Sequence, residues 1–574
     1  MAIAQLHSFL LKPTAKLSHP RTIFWLSLSL TFAAIYAILA LQKAFSSEYV
    51  VQDDARQHVF WMLRFLDPEL FPNDLIADYF QSVAPAGYTN FYRLVVGLGI
   101  NPLWLNKFLP LILALIATSY CFFLCLEILP IPMTGFLASL LFNQTIWYKD
   151  DLVSGTPRAF IYPLLFAFLY YLARNSLLPC LTAIALLGLF YPQGVFLAAS
   201  LLFLRLLKAA WWQNWRENRL ELWGLAVAFL VMLPYALTSS DFAPVVTVSQ
   251  AKQMPEFLDD GRSQFFHDNL WDFYIAGGRS GMFPRSLFTP VTLIAGLFLP
   301  LLLKFPAKFP LVKQIKSSLS LLPQLLLVSV GMFIFAHLLL FKLHLPGRYT
   351  GYTFQMIIAL ATGIVLTIIL DQILLWAQTK AKNYRFRIAI ASAFTFLLAI
   401  SLIFYPNTSN DFPITKYKTG EFPGLYTYLQ QQPKDILIAS LANEADNIPT
   451  FAQRSILVNR EYAIPYHLGY YNQYRQRVKD LIQAHYSRNW EEITAFIAKY
   501  NIDFWVIDDS AFTAEFLRDR NWIKQYQPIT QQTINRLQQG ETPLLAKIQS
   551  SCAVFTEDNL TVIPSKCILK YRQN

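Results

Sequence analysis

Two pairs of neighbouring aspartates are the residues of this sequence best suited to chemistry. Asp53 and Asp54 fall in S-S-E-Y-V-V-Q-D-D-A-R-Q-H, and Asp150 and Asp151 in W-Y-K-D-D-L-V-S-G-T-P-R, which ends on Arg158. A carboxylate held beside a hydroxyl can take its proton as a general base. Grouped carboxylate oxygens also suit a hard divalent cation, with Asp53, Asp150 and Asp151 as the oxygen donors on offer. A third run, H-L-P-G-R-Y-T-G-Y, supplies His344, Arg348 and Tyr349. A guanidinium presents a planar fork of donors that matches phosphate. Arg348 is therefore the first candidate to hold an anionic group, with Arg158 and His344 behind it. Taken singly, each of these charges is also what a solvated loop carries. What matters is where the chain puts them.

The elements that must do so are apolar helices. Of 574 residues, 55% are hydrophobic and only 14% charged, against roughly 25% charged in a soluble domain. Long runs nearly free of charge recur: Thr22–Ala44, Leu109–Cys125, Pro132–Tyr148, Phe160–Tyr171, Leu177–Phe190, Gly194–Leu207, Leu222–Tyr235, Val291–Leu303, Leu321–Phe341, Ile357–Leu375 and Ile388–Phe404. About 20 apolar residues cross the hydrocarbon of a bilayer, so hydropathy predicts about eleven crossings. The pair around Tyr191–Pro192 is short. The first run follows Lys12, Lys16 and Arg21 but is longer than a signal-peptide core and lacks a small-residue cleavage pattern, so it reads as a retained helix.

The net charge of +11 is not a nucleic-acid signal. From Tyr405 onward there are 18 Lys and Arg against 17 Asp and Glu, which leaves 29 against 19 before it. The excess sits in five clusters between apolar runs: Lys12, Lys16 and Arg21; Arg174; Arg205, Lys208, Arg216 and Arg219; Lys304, Lys308, Lys313 and Lys316; Lys380, Lys382, Arg385 and Arg387. With eleven crossings all five fall on one side. Basic loops stay cytoplasmic, which predicts an N-in, C-out multi-pass protein of the plasma (inner) membrane. Residues 1–404 form its membrane part, with a large first outer loop, Phe45–Trp104, and residues 405–574 an extracytoplasmic domain. Both aspartate pairs and Arg348 then lie on the outer face, at helix mouths, where ionisable groups are functional candidates. Within the first outer loop, Ala55–Leu66 has apolar residues at helical spacing and predicts an amphipathic helix lying in the interface.

The run D-D-A-R-Q-H, just past the first helix, resembles the D-E-x-x-[YH] type motif of GT-C glycosyltransferases. Protein O-mannosyltransferases, the aminoarabinose transferase of lipid A and oligosaccharyltransferase catalytic subunits belong to that group. The architecture is similar along the whole chain. The resemblance implies transfer of a sugar from a polyprenyl-phosphate-linked donor to an acceptor at the outer membrane face, with lipid and donor as partners and no nucleic acid. It implies that Asp53 matches the first acid, a catalytic base or acceptor-orienting group. Asp54 stands where the second acid, often Glu, would be, which leaves the division of labour open. Members of the group differ in metal use, so a divalent cation is an open expectation. The third outer segment, Ser239–Arg285, carries Phe265, Phe266, His267, Asp268, Trp271 and Tyr274, a mixture suited equally to stacking on a sugar or to a packed lid. The rival functions are a transporter or flippase, or a polymerase or ligase, of lipid-linked saccharides. A transporter usually places its charged site near the midplane rather than at the mouths.

Beyond Tyr405 the pattern is soluble α/β. D-I-L-I-A-S (Asp435–Ser440), Ser455–Arg460 and I-D-F-W-V-I-D-D (Ile502–Asp509) read as strands. Helices are predicted over Gly424–Gln431, Arg475–Tyr486, Trp490–Tyr500 and Ala511–Arg520. The alternation predicts a parallel or mostly parallel sheet. Cys121, Cys125 and Cys180 lie in apolar runs as packing residues. Cys552 and Cys567 flank a hairpin pattern with its turn near Glu557–Asn559, which suits a disulfide in an exported domain. No zinc-type spacing, phosphate loop or internal repeat is present. A single active site further requires Arg348 within on the order of 10–12 Å of Asp53 and Asp54.

Overall fold

The computed structural model describes every residue except Met1, Ala15, residues 209–217, Ser239, Asp260, residues 380–382, Arg520 and residues 572–574. Arg216, Lys380 and Lys382 of the basic clusters, and the first residue of the third outer segment, lie outside the described residues. All eleven apolar runs are helical, from Pro20–Ala44 to Tyr384–Phe404. Among the described residues, six helices are long and apolar enough to cross a membrane by length and composition. The protein has the build of a multi-pass membrane protein. Leu177–Phe190 and Gln193–Lys208 are separate helices that break at Tyr191–Pro192. Val291–Leu303 is helical in two pieces, a 3-10 stretch over Val291–Phe298 and an α-turn over Leu299–Leu303.

The helices that position the aspartates have legible ends. Pro102–Ile128 starts with proline at N1, and the Asn101 side chain accepts from Leu103 N at 2.8 Å, so orphan donors of the first turn are satisfied. Pro132–Trp147 is buried along its whole length and delivers Asp150 and Asp151 to the turn that follows. That turn needs glycine. Gly155 has φ +58°, and a Cβ there would stand 2.6 Å from the Asn106 amide nitrogen, which itself donates to Ser154 O at 2.9 Å. The chain then enters Pro157–Phe160 and the helix Ile161–Ala173.

Strand β1 (Val50–Gln52) pairs antiparallel with β2 (Tyr417–Thr419), joining the segment after the first helix to the chain beyond Phe404. A second sheet has the order β4-β3-β5-β7-β6, from β3 (Leu437–Ser440), β4 (Ser455–Ile456), β5 (Phe504–Asp508), β6 (Phe555–Glu557) and β7 (Leu560–Pro564). The three predicted strands pair in parallel, β3 with β4 and with β5. The sheet is nevertheless mixed rather than mostly parallel. The tight turn at Asp558 (φ 47°) returns β7 antiparallel to β6 and lays it antiparallel on β5, and a two-residue hairpin connection permits no other sense. Cys552 and Cys567 form a disulfide across this hairpin.

Ala55–Leu66 departs from expectation. It is a short α-helix, Ala55–His58, then a 3-10 helix, Phe60–Phe65. It is not an interfacial helix, because Val59, Phe60, Trp61, Met62 and Leu63 are all at most 1% exposed. Five consecutive apolar residues surround the axis instead of forming a stripe, and such a segment goes inside. Phe60 packs on Tyr462 of the C-terminal region, with ring centroids 5.7 Å apart.

Candidate functional site

Strand β1 places the first acid pair. The Gln52 side chain accepts from Asp54 N at 2.8 Å, and Asp53 N donates to Lys416 O at 3.2 Å. Both aspartates are therefore fixed at the backbone before any side chain is considered. From there they diverge. Asp53 Oδ1 is paired with Arg56 and lies 3.9 Å from Lys418 Nζ. Asp54 Oδ2 lies 2.5 Å from Arg158. The second oxygen of each aspartate has no hydrogen-bond or ion-pair partner among the described residues, so each keeps one oxygen for another molecule.

Arg158 is the hub. Its guanidinium is 3.2 Å from both Asp150 and Asp151, in addition to Asp54. Asp151 in turn lies 3.4 Å from Arg348, whose Nη1 also donates to the Tyr352 hydroxyl at 2.9 Å. An unbroken chain of ion pairs, Asp54–Arg158–Asp151–Arg348, thus joins three separate segments of the sequence. Arg348 makes no direct pair with Asp53 or Asp54 among the described residues. Lys416 closes the rim at 3.6 Å from Asp150. Burial works against ionised Asp150, but the Arg158 and Lys416 charges outweigh it and hold its carboxyl below the ordinary range. Burial, with the Arg348 and Arg158 charges, pushes the Lys149 ammonium down against the pull of Asp151 and Asp150.

The two histidines named from the sequence stand apart from the acids. His344 is pushed down to about 3 by burial and by the Arg348, Arg279 and His467 charges, so it is neutral and no phosphate ligand by charge. His267 lies on its own loop, where Gln264 Nε2 is 3.4 Å from its Nδ1. Around it Phe265 is fully buried against Phe341, whereas Trp271 and Tyr274 stay 65% and 46% exposed. The segment is partly packed lid and partly open aromatic surface. His58 was not singled out by the sequence. Burial lowers it, Asp54 raises it, and Arg158 and Arg348 lower it further.

Sequence reasoning also missed a second network. Arg56, 5% exposed, donates to Glu461 at 3.1 Å and to the Asn447 side chain at 3.1 Å. Arg262 reaches the other Glu461 oxygen at 3.0 Å, and the Gln57 amide donates to the Glu461 carbonyl at 2.7 Å. Burial pushes the Glu461 carboxyl up against the pull of these two guanidiniums. Lys416, just before β2 with φ 50°, and Lys418 within it did have a signal, the alternating basic residues of T-K-Y-K-T.

Among the described residues no three His, Cys, Asp or Glu side chains are grouped to hold a metal ion. Asp54, Asp150 and Asp151 all turn toward the Arg158 guanidinium, and Asp53 toward Arg56. As arranged, these oxygens fit a cation that the protein itself supplies.

No family model and no curated protein matches the sequence. Solved structures match its fold. The apo crystal structure of the Archaeoglobus fulgidus oligosaccharyltransferase superposes with a TM-score of 0.53 at 14% identity, over 89% of this chain and 72% of that one. The same enzyme tethered to an acceptor peptide gives 0.49 at 12% identity, over 90% and 72%. The archaeal enzyme in complex with an inhibitory peptide and a dolichol-phosphate gives 0.48 at 13%, over 89% and 72%. On the first of these, the chain has the fold of the archaeal oligosaccharyltransferase.

Proposed function

We propose that the protein is a membrane glycosyltransferase that moves a sugar from a polyprenyl-phosphate-linked donor to an acceptor at the outer face of the membrane. The observation that carries this reading is the convergence of Asp53, Asp54, Arg158 and Arg348 from distant segments, at one end of the helices of a GT-C fold. In this reading Asp53 is the base. Its free oxygen takes the proton of the acceptor hydroxyl as the new bond to the anomeric carbon forms. The bond from that carbon to the donor phosphate oxygen breaks, and the lipid phosphate leaves with the electron pair. Arg348 and Arg158 face that phosphate, and Asp54 keeps Arg158 oriented. Asp150 and Asp151 hold the two guanidiniums apart and in place. His344, held neutral by burial and the neighbouring charges, is no phosphate ligand in this reading.

The same reading takes eleven crossings with the N-terminus inside, and residues 405–574 as an extracytoplasmic domain that closes over the acids through β1–β2 pairing. The test is transfer in vitro from a panel of polyprenyl-linked sugars, comparing the parent with Asp53→Asn. Asn keeps the size and accepts no proton, so transfer falls about 10²–10⁴-fold in folded protein. Near-parental transfer by the variant removes the base, and transport of the donor without covalent transfer removes the enzyme.

A further inference from the structure

The helices that end at the acid cluster have a second charged cluster at their other ends. Pro102–Ile128 starts beside the Ser154–Gly155 turn and runs 27 residues, about 40 Å at the α-helical rise. Ile161–Ala173 starts just past Arg158 and ends on Arg174. Leu321–Leu338 starts just past Lys316 and leads toward His344 and Arg348. At that far end Lys16, Arg174 and Lys316 line a hollow of about 460 Å³ together with Glu127 and Leu17.

The hollow is built rather than incidental. Thr14 N donates to Pro130 O at 2.9 Å, and Lys316 N donates to Ile128 O at 2.9 Å, so two remote segments are fixed to one interhelical turn. Glu127 is 3.4 Å from Lys316 and 4.0 Å from Arg174, and Arg174 also donates to the Tyr170 hydroxyl at 2.7 Å. Lys16 lines the same hollow and has no ion pair among the described residues. Three exposed cations around one carboxylate leave a surplus of two positive charges at the mouth of the hollow. Leu17, 44% exposed, adds an apolar edge.

We propose that this hollow binds a phosphate group, supplied by the headgroup of an anionic phospholipid in the leaflet facing that end. Basic pockets between membrane helices take such headgroups, each Lys or Arg contributing about 1 kcal/mol. The hollow lies at helix ends, with three cations for the phosphate and the exposed Leu17 for the apolar part of a lipid. The inference is independent of the transferase reading and stands or falls without it.

The test uses the full-length protein in nanodiscs of phosphatidylcholine alone or with phosphatidylglycerol, and in detergent with inorganic phosphate. Retained lipid is counted by native mass spectrometry. Phosphatidylglycerol is expected to be retained and to raise the melting temperature. Removing Lys16 and Lys316 (Lys16→Ala, Lys316→Ala) should weaken its binding about fivefold per cation. Glu127→Gln should tighten it, a gain that a misfolded variant cannot imitate. If inorganic phosphate displaces the lipid and follows the same order of variants, the phosphate site stands and the lipid is not its sole source. Equal retention by the parent, the double alanine variant and Glu127→Gln overturns the site.

Discussion

Asp53 and Asp54 are adjacent, yet they belong to different neighbourhoods. Asp53 is held by Arg56, and through it by Glu461 and Asn447 of the C-terminal region. Asp54 is held by Arg158, and through it by Asp150, Asp151 and Arg348 at the ends of the membrane helices. One peptide bond joins the two networks; Asp53 N before it donates to Lys416 O and Asp54 N after it donates to the Gln52 side chain. The difference teaches a division of labour. On the proposed function, the C-terminal region sets where Asp53 stands as base, and the helices set where the arginines meet the donor phosphate. Relative movement of the two parts would change the spacing between them.

The sharpest way to break this arrangement is Arg158→Ala. It strands Asp54, Asp150 and Asp151 beside one another with their shared cation gone. Removing one partner of a buried ion pair costs about 3–5 kcal/mol; since Asp54 and Asp150 keep 29% and 21% side-chain exposure, the lower end applies. Thermal unfolding should show a large drop in melting temperature and transfer should vanish. An unchanged melting temperature would mean that the hub is ornamental.

Glu461→Gln cuts the other side. Arg56 and Arg262 keep a neutral acceptor but lose the charge, worth about 1–3 kcal/mol in a buried hydrogen-bonded setting. The Arg158 hub is untouched, so donor KM should hold while kcat falls as Asp53 loses its anchor. A rise in donor KM at constant kcat would contradict the division of labour.

Arg348→Lys is milder. It keeps the charge and loses the planar fork, and a charge-assisted hydrogen bond of about 1.5 kcal/mol corresponds to roughly a tenfold rise in donor KM. Measured against Glu461→Gln, the two variants should move opposite kinetic constants, and a fall in kcat alone would place Arg348 outside the phosphate site.

The sequence carried the parts of this picture that repeat or that sit at element ends. Apolar period and length revealed the helices, the acid pairs stood at their mouths, and the Cys552–Cys567 hairpin showed in its turn. What it hid were contacts with no local period. Arg56 and Glu461 are 405 residues apart, and neither sits in a run that marks it as buried. Val59–Leu63 misled because helical spacing was visible while the apolar residues between the spaced positions were discounted. The antiparallel half of the C-terminal sheet was visible as a hairpin, but nothing in the residues said which strand it would join.

The smallest effect reads the hub side by pH. His58 feels Asp54, which raises it against burial, Arg158 and Arg348. His344 feels burial and then the cations Arg348, Arg279 and His467, and is held down to about 3. A histidine whose folded value lies below the ordinary one of about 6.5 stays neutral in the fold while the unfolded chain takes a proton. Its contribution to stability is therefore full above pH 6.5 and is lost steadily as the pH falls toward 3. His344→Asn tolerates the positive φ of 64° at this position and removes the titration. Melting temperatures followed from pH 8 to pH 5 should fall more steeply for the parent than for the variant. Parallel curves would mean that His344 is solvated in the folded protein and that Arg348 does not project its charge toward it.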